Sequence, residues 1–234
     1  MATETEPIAQ PRVPLSRERV LHAAIAVADE GGIESLTMRK LAEELGVEAM
    51  SLYHHLANKE AVLDGIVDVM VAEVDEALAG CDTAADPAEW KTTMRTRVLT
   101  ARETMLRHPW APGVIETRTA VSPVLMRYFN ELLGILREGG FSYDLAHHAL
   151  HALGSRALGF TQELFKPDGD TDEEADMAML EQMAEQLPYI VGMMMEVSHD
   201  ADDDSSLGWC DDQAEFEFGL DLTLDGLERL VEAG

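Results

Sequence analysis

Residues 37–59 read TMRKLAEELGVEAMSLYHHLANK. Their spacing predicts a helix over Met38–Leu45 capped by Thr37, a stop at Gly46, a tight turn, a very short second helix over Met50–His55, and a third helix opened by Asn58 as N-cap. Two helices joined by a tight Gly-containing turn form a helix-turn-helix, whose second helix enters the DNA major groove. Leu52 and Leu56 are four apart and face inward together, which turns Met50, Ser51, Tyr53 and His54 outward. A tyrosine and two histidines on such a face have little structural reason to be there. Tyr53 and His55 are assigned to phosphates, His54 and Ser51 to base edges, and the apolar Ala49 and Met50 to thymine methyl groups. Thr37 and Lys59 sit where helices open toward phosphates, and Arg39, with Lys40 beside it, reaches a base or the backbone.

Helical periodicity extends outward from this stretch almost everywhere, and strand alternation almost nowhere. Ser16 caps a helix over Arg17–Glu30, with Val20, Ala24 and Val27 inside and the Gly31-Gly32 pair as its end. Ile25, Leu36, Leu41, Leu45, Val47, Leu52 and Leu56 complete a small three-helix core. After Asn58 a long helix carries Val62, Ile66, Val69, Met70 and Val74 as its buried stripe. Asp86-Pro87 and Ser122-Pro123 each place an N-cap before a proline at the first helical position. They predict helices to about Arg107 and over Val124–Glu138, with a short piece at Trp110–Glu116 between them. Further helices are expected over Tyr143–Phe165, over Glu173–Val197 with a kink or split at Pro188, and over Gln213–Glu232. The expected fold is all-α with nine or ten helices. A lead spans residues 1–14, a helix-turn-helix domain 15–61, and a larger domain 62–234 with an acidic loop at 198–212.

The chain has 234 residues, 46% of them apolar, and a formal net charge of −28. Residues 1–60 hold six basic and ten acidic side chains, and residues 61–234 hold eleven and 35, so the acid lies mostly outside the candidate reading head. A phosphate-binding surface needs only local positive charge, although so acidic a chain binds DNA non-specifically with a harsh salt penalty. No apolar run reaches a membrane span, the N-terminus lacks a signal-peptide pattern, and two distant cysteines, Cys81 and Cys210, build neither a disulfide framework nor a zinc site. The expected setting is cytoplasmic.

Leu15–Leu63 resembles the DNA-binding domain of the TetR family of bacterial transcriptional regulators, through GIESLTMRKLAEELGV and then SLYHHLANKEAVLD, with the family's tyrosine at Tyr53 and lysine at Lys59. Trp90 with the HPW at His108, the GGFS at Gly139–Ser142, and FEFGLDLTLDGLERL near the end resemble the tetracycline-repressor-type C-terminal domain. The resemblance implies a homodimer whose two heads read a palindromic operator roughly 34–36 Å from centre to centre. It also implies a small-molecule effector and a four-helix dimer bundle. Where the tetracycline repressor places its drug-gripping histidine this chain has Ile115 or Glu116, and its other drug contacts fall on Asp75, Arg97 and Ala101. Tetracycline is therefore not the expected ligand.

The candidate dimer interface comprises Ala149, Ala152, Leu153 and Ala157 on a helix rich in small residues, with Phe216, Leu220, Leu224 and Leu227 on the last helix. Trp110, Ile115, Arg118 and Phe129, with His147, His151, Phe160, Met183 and Met194, are the candidate lining of a pocket for an apolar ligand. His147 and His151 are spaced i, i+4 as a metal pair would be, but no third ligand follows at a defined spacing, and no cofactor or metal is expected. Nucleophile elbow, phosphate loop and paired carboxylates are all lacking, so there are no catalytic candidates and an enzyme is not expected. The leading expectation is a ligand-released repressor. The alternatives are an all-α small-molecule or metal-binding protein using His147 and His151, or an activator with the same DNA-reading head.

Overall fold

Helix starts in this chain are set by side chains that accept a hydrogen bond from a backbone N–H just inside the helix. The backbone N–H of Arg19 donates to Ser16 Oγ at 3.1 Å, that of Lys40 to Thr37 Oγ1 at 3.1 Å, and that of Ala61 to Asn58 Oδ1 at 2.8 Å. Ser122 and Ser142 accept in the same way from Leu125 and Leu145, each at 3.1 Å, and Asp86 accepts from Ala88 at 2.9 Å. Each satisfies one of the donors that a helix start leaves open.

The structure, a computed structural model, describes residues 14–79, 86–119, 121–159, 184, 186–196 and 212–233. Among the described residues there are ten α-helices and no strand. They are α1 (Arg17–Gly31), α2 (Met38–Leu45), α3 (Ala49–Leu52), α4 (Lys59–Leu78), α5 (Trp90–Arg107), α6 (Ala111–Thr117), α7 (Pro123–Glu138), α8 (Tyr143–Gly159), α9 (Pro188–Glu196) and α10 (Asp212–Ala233). Short 3₁₀ turns occupy Ile33–Ser35 and Pro87–Glu89.

The second helix of the head closes earlier than its spacing predicts. It ends at Leu52, and Tyr53–His55 continue as a turn in which the N–H groups of His55 and Leu56 share Leu52 O, both at 2.9 Å. Pro188 is the first residue of α9, a position at which proline loses no intrahelical hydrogen bond. The expected lead up to residue 13, most of the acidic loop, both cysteines and the remainder of the expected 173–197 helix lie outside the described residues.

Two compact units, Met1–Gly139 and Gly140–Gly234, divide the chain. This division differs from one after residue 61, because α4 is a single helix packed on α1 and also on α5, α6 and α7. Val62, Leu63, Ile66 and Val67 of α4 share one core with Leu21, Ala24 and Ile25 of α1, Leu41 of α2, Leu52 of α3 and Val114 of α6. Gly65 permits the α1–α4 contact: a Cβ there would stand 2.5 Å from a methyl of Leu21. Gly46 ends α2 in the left-handed region (φ 64°), where only glycine is unstrained, and hands its N–H to Ala42 and Glu43 carbonyls. In the second unit α8 and α10 pack on each other, with Phe141, Ala146, Ala149, Phe216, Leu220 and Leu224 fully buried.

Asn58→Ala should lower the stability of the full chain by about 1 kcal/mol, the usual effect of losing an N-cap. A denaturant titration followed by far-ultraviolet circular dichroism checks this, with an unchanged midpoint as the contrary result.

Candidate nucleic-acid interface

Leu41, Leu52 and Leu56 are buried to within a few per cent, and the Val47 N–H closes the turn onto Ala42 O at 3.0 Å. The short α3 is thus anchored from below, which fixes the direction of its outward side chains. Met50 is 71% and Tyr53 44% exposed, large areas for an apolar and an aromatic side chain on so small a bundle. His54, Thr37, Arg39 and Lys40 are exposed, and Ala49, Ser51, His55 and Lys59 are half-buried. None of the ten residues singled out from the sequence is buried. The structure gathers them on α2, α3, the turn after it and the first residue of α4.

The interface is sparing in charge. Arg39 Nε lies 3.0 Å from Glu43 Oε1, with 89% and 57% of the two side chains exposed. A pair this exposed is worth well under about 1 kcal/mol, so Arg39 can leave it for a phosphate. Beside α3 lies a groove of about 630 Å³ lined by Leu15, Arg19, Glu43, Gly46, Glu48 and Ser51.

The candidate pocket residues do not converge in the same way. Trp110 and Ile115 pack against the core of the head, and Trp110 Nε1 donates to Asp29 Oδ1 at 2.7 Å. Arg118 is taken up by α4: its Nη1 reaches Glu60 at 2.8 Å and Asp64 at 3.3 Å. Phe129 is 41% exposed on α7. His147 and His151 stand exposed on α8 with ring centroids 4.6 Å apart, and no group of three metal-ligating side chains occurs among the described residues. Phe160 and Met183 lie outside the described residues. Met194 is placed only as part of the α9 backbone.

The candidate dimer residues fall on α8 and α10. Ala149, Leu153, Phe216, Leu220, Leu224 and Leu227 are already buried within one chain, where α8 packs on α10. Of the eight, Ala152 is exposed and Ala157 half-buried. The apolar surface that α10 leaves open carries Phe218 (64%) and Leu222 (58%), two and six residues beyond Phe216 and so on another face of the helix. Periodicity finds an apolar stripe without saying whether its partner is in the same chain.

The structure also forms a polar cluster between α4, α5 and α7 that includes Asp75 and Arg97, two positions on which the resemblance puts drug contacts of the tetracycline repressor, together with Tyr128 and Glu131, which the sequence did not single out. Arg97, only 15% exposed, donates from Nη2 to Glu131 Oε2 at 3.3 Å, while its Nε and Nη1 are buried without a partner. Burial first, and then the Tyr128 neighbours Asp75 and Glu131, push the Tyr128 phenol above its ordinary range against the pull of Arg97. The Asp75 carboxyl is also raised, by desolvation and then by Glu131, against Arg97 and Arg127. Unmet buried donors beside groups with shifted protonation are a mark of a binding site. The available signal was a basic residue next to the buried Met94 and Val98 stripe of α5.

Comparisons with known proteins bear on the same residues. Residues 20–66 match the family of bacterial regulatory proteins described as the tetR family, and residues 83–231 match the tetracyclin repressor-like C-terminal domain. The chain is similar to the HTH-type transcriptional repressor DrrR1 of Streptomyces coeruleorubidus, 31% identical over 98% of this chain and 83% of that protein. It is similar to the tetracycline repressor protein class C of Escherichia coli, 27% identical over 92% of each. The crystal structure of a possible TetR family transcriptional regulator from Streptomyces coelicolor A3(2) superposes with a TM-score of 0.69 at 29% identity, over 92% of this chain and 100% of that one.

The raised Asp75 carboxyl gives a stability prediction. The folded state holds this proton more tightly than the unfolded chain, so the group's contribution is present at acid pH and is lost as pH rises through the folded value. Asp75→Asn should therefore gain stability over the parent at about pH 7 and gain less at about pH 4. Denaturation midpoints at the two pH values would refute this if the difference did not grow toward neutral pH.

Proposed function

The chain belongs to the tetR family of bacterial regulatory proteins, and from that premise we propose that it is a homodimeric repressor. It binds a palindromic operator and is released by a small molecule taken up among the helices that follow the reading head. The observation that carries the operator reading is the outward face of α3, where Met50 and Tyr53 stand in solvent above a buried Leu52. Such a face contributes nothing to folding and matches a shallow, largely apolar reading of the major groove. Two-fold symmetry doubles that reading, which compensates for few cations at each head. No enzymatic step belongs to this reading, and its place is the cytoplasm, beside the chromosome.

The outward face of α10 supports the dimer. Phe218 and Leu222, 64% and 58% exposed and one helical turn apart, form an apolar surface that a second copy can cover. The effector reading rests on Arg97, whose two unpartnered nitrogens call for an acceptor oxygen on an otherwise apolar molecule. A ligand with differential affinity for one arrangement of the heads shifts the population toward it, and the operator is released.

Two variants test this. Tyr53→Ala should weaken binding to an operator, selected from random DNA by the parent protein, by about tenfold or more, while leaving the dimer intact. Unchanged binding rejects α3 as the reading element. Phe218→Glu should halve the mass seen by sedimentation and lose two-site binding, and a persistent dimer would remove this face from the interface.

A further inference from the structure

Asp29 lies in the last turn of α1, where the helix dipole is negative and no basic residue compensates. A carboxylate at a helix C-terminus is electrostatically misplaced unless something answers it. Two ring nitrogens do. His108 Nδ1 stands 2.8 Å from Asp29 Oδ1, and Trp110 Nε1 donates to the same oxygen at 2.7 Å. The other side of the imidazole faces α4: Nε2 is 3.4 Å from Glu73 Oε2, and Arg107 Nη2 is 3.8 Å from the same oxygen. His108 is 8% exposed and closes α5, and Trp110 opens α6. Both ring nitrogens thus face a carboxylate oxygen.

The corner His108-Pro109-Trp110 is thus a clamp that joins three helices. It holds the far end of α1 to the α5–α6 junction, which in turn meets Glu73 in the last third of α4. The partners are 79 and 81 residues apart in sequence, so nothing local requires the contact. Apart from the shared apolar core, it is the polar tie between the end of α1 and the elements beyond the head. The proline fixes φ and so limits how the two rings can be presented. Without the clamp, the far end of α1 loses a directional hydrogen bond to a charged group, which tolerates small rotations less readily than side-chain packing does.

We propose that Asp29, His108 and Trp110 are positioning residues for DNA recognition: they fix the angle of the reading head on α4 and thereby set the half-site spacing that the dimer accepts. The residues touch no DNA. Their effect is on discrimination between operators and not on the affinity of one head for one half-site. The inference rests on the dimeric operator-binding reading above.

The test uses the full chain and operators whose two half-sites are moved together or apart by one base pair. Each such change rotates the half-sites by about a tenth of a turn. The parent should lose about tenfold in affinity on either change. Asp29→Asn and His108→Gln should bind the selected operator and a single half-site within about threefold of the parent, yet lose no more than about threefold on respacing. Trp110→Phe keeps the ring, removes only the N–H, and should lie between them; it decides the matter if the other two variants fail to fold. Parent-like spacing discrimination in the folded variants overturns the proposal. Equal loss on a single half-site also overturns it, since the head itself would then be damaged. A parent protein that selects no two-fold symmetric DNA refutes the dimeric operator reading instead, a distinguishable result.

Discussion

The burial of α4 on two sides is the constraint on which the first unit depends. Val62, Ile66 and Met70 are all but excluded from water, as are Leu63, Val67 and Leu78, so burial recurs along the whole length of the helix. Burying each such side chain contributes about 1.5–3 kcal/mol, and none can be withdrawn without opening a cavity. One face holds α1 of the reading head, and α5, α6 and α7 pack elsewhere along it. A packed helix of this kind moves as a body, which is the requirement for carrying a signal between a ligand and a DNA-reading face. Arg118, held by Glu60 and Asp64 in the first turns of α4, adds a directional tie close to α3.

The sequence was most legible where the determining physics is local. Ser16, Thr37, Asn58, Asp86, Ser122 and Ser142 mark helix starts because a cap is decided by a side chain and a backbone N–H two or three residues away. The inward Leu52 and Leu56 and the outward Met50 and Tyr53 follow from helical periodicity on the same terms. Contacts across tens of residues were not legible. The Phe216–Leu220–Leu224 stripe has an apolar period that fits an intrachain partner as well as an interchain one, and the packing of α8 on α10 supplies the first of these. The orphaned donors of Arg97 and the doubly bonded Asp29 depend on which helices meet, which no spacing within one helix encodes.

The charge pattern acquires a physical sense in this frame. The net charge of −28 would work against any contact that relied on counterion release alone. At the head the cations are few, and Arg39 is lightly engaged by a neighbour in solvent. Attraction to phosphate is then a weak and strongly screened guide. In the proposed reading, shape fit and apolar contact on α3 carry a larger share of recognition, and random DNA competes less well than it does for a basic protein.

α3 has four residues and anchors itself through one of them, Leu52. Substitutions at exposed positions usually change stability by no more than about 0.5 kcal/mol, so Met50 and Tyr53 can be exchanged while the scaffold beneath them persists. Fold and vocabulary are inherited separately in such a head: lineages can diverge in the sequences they address without passing through an unfolded ancestor.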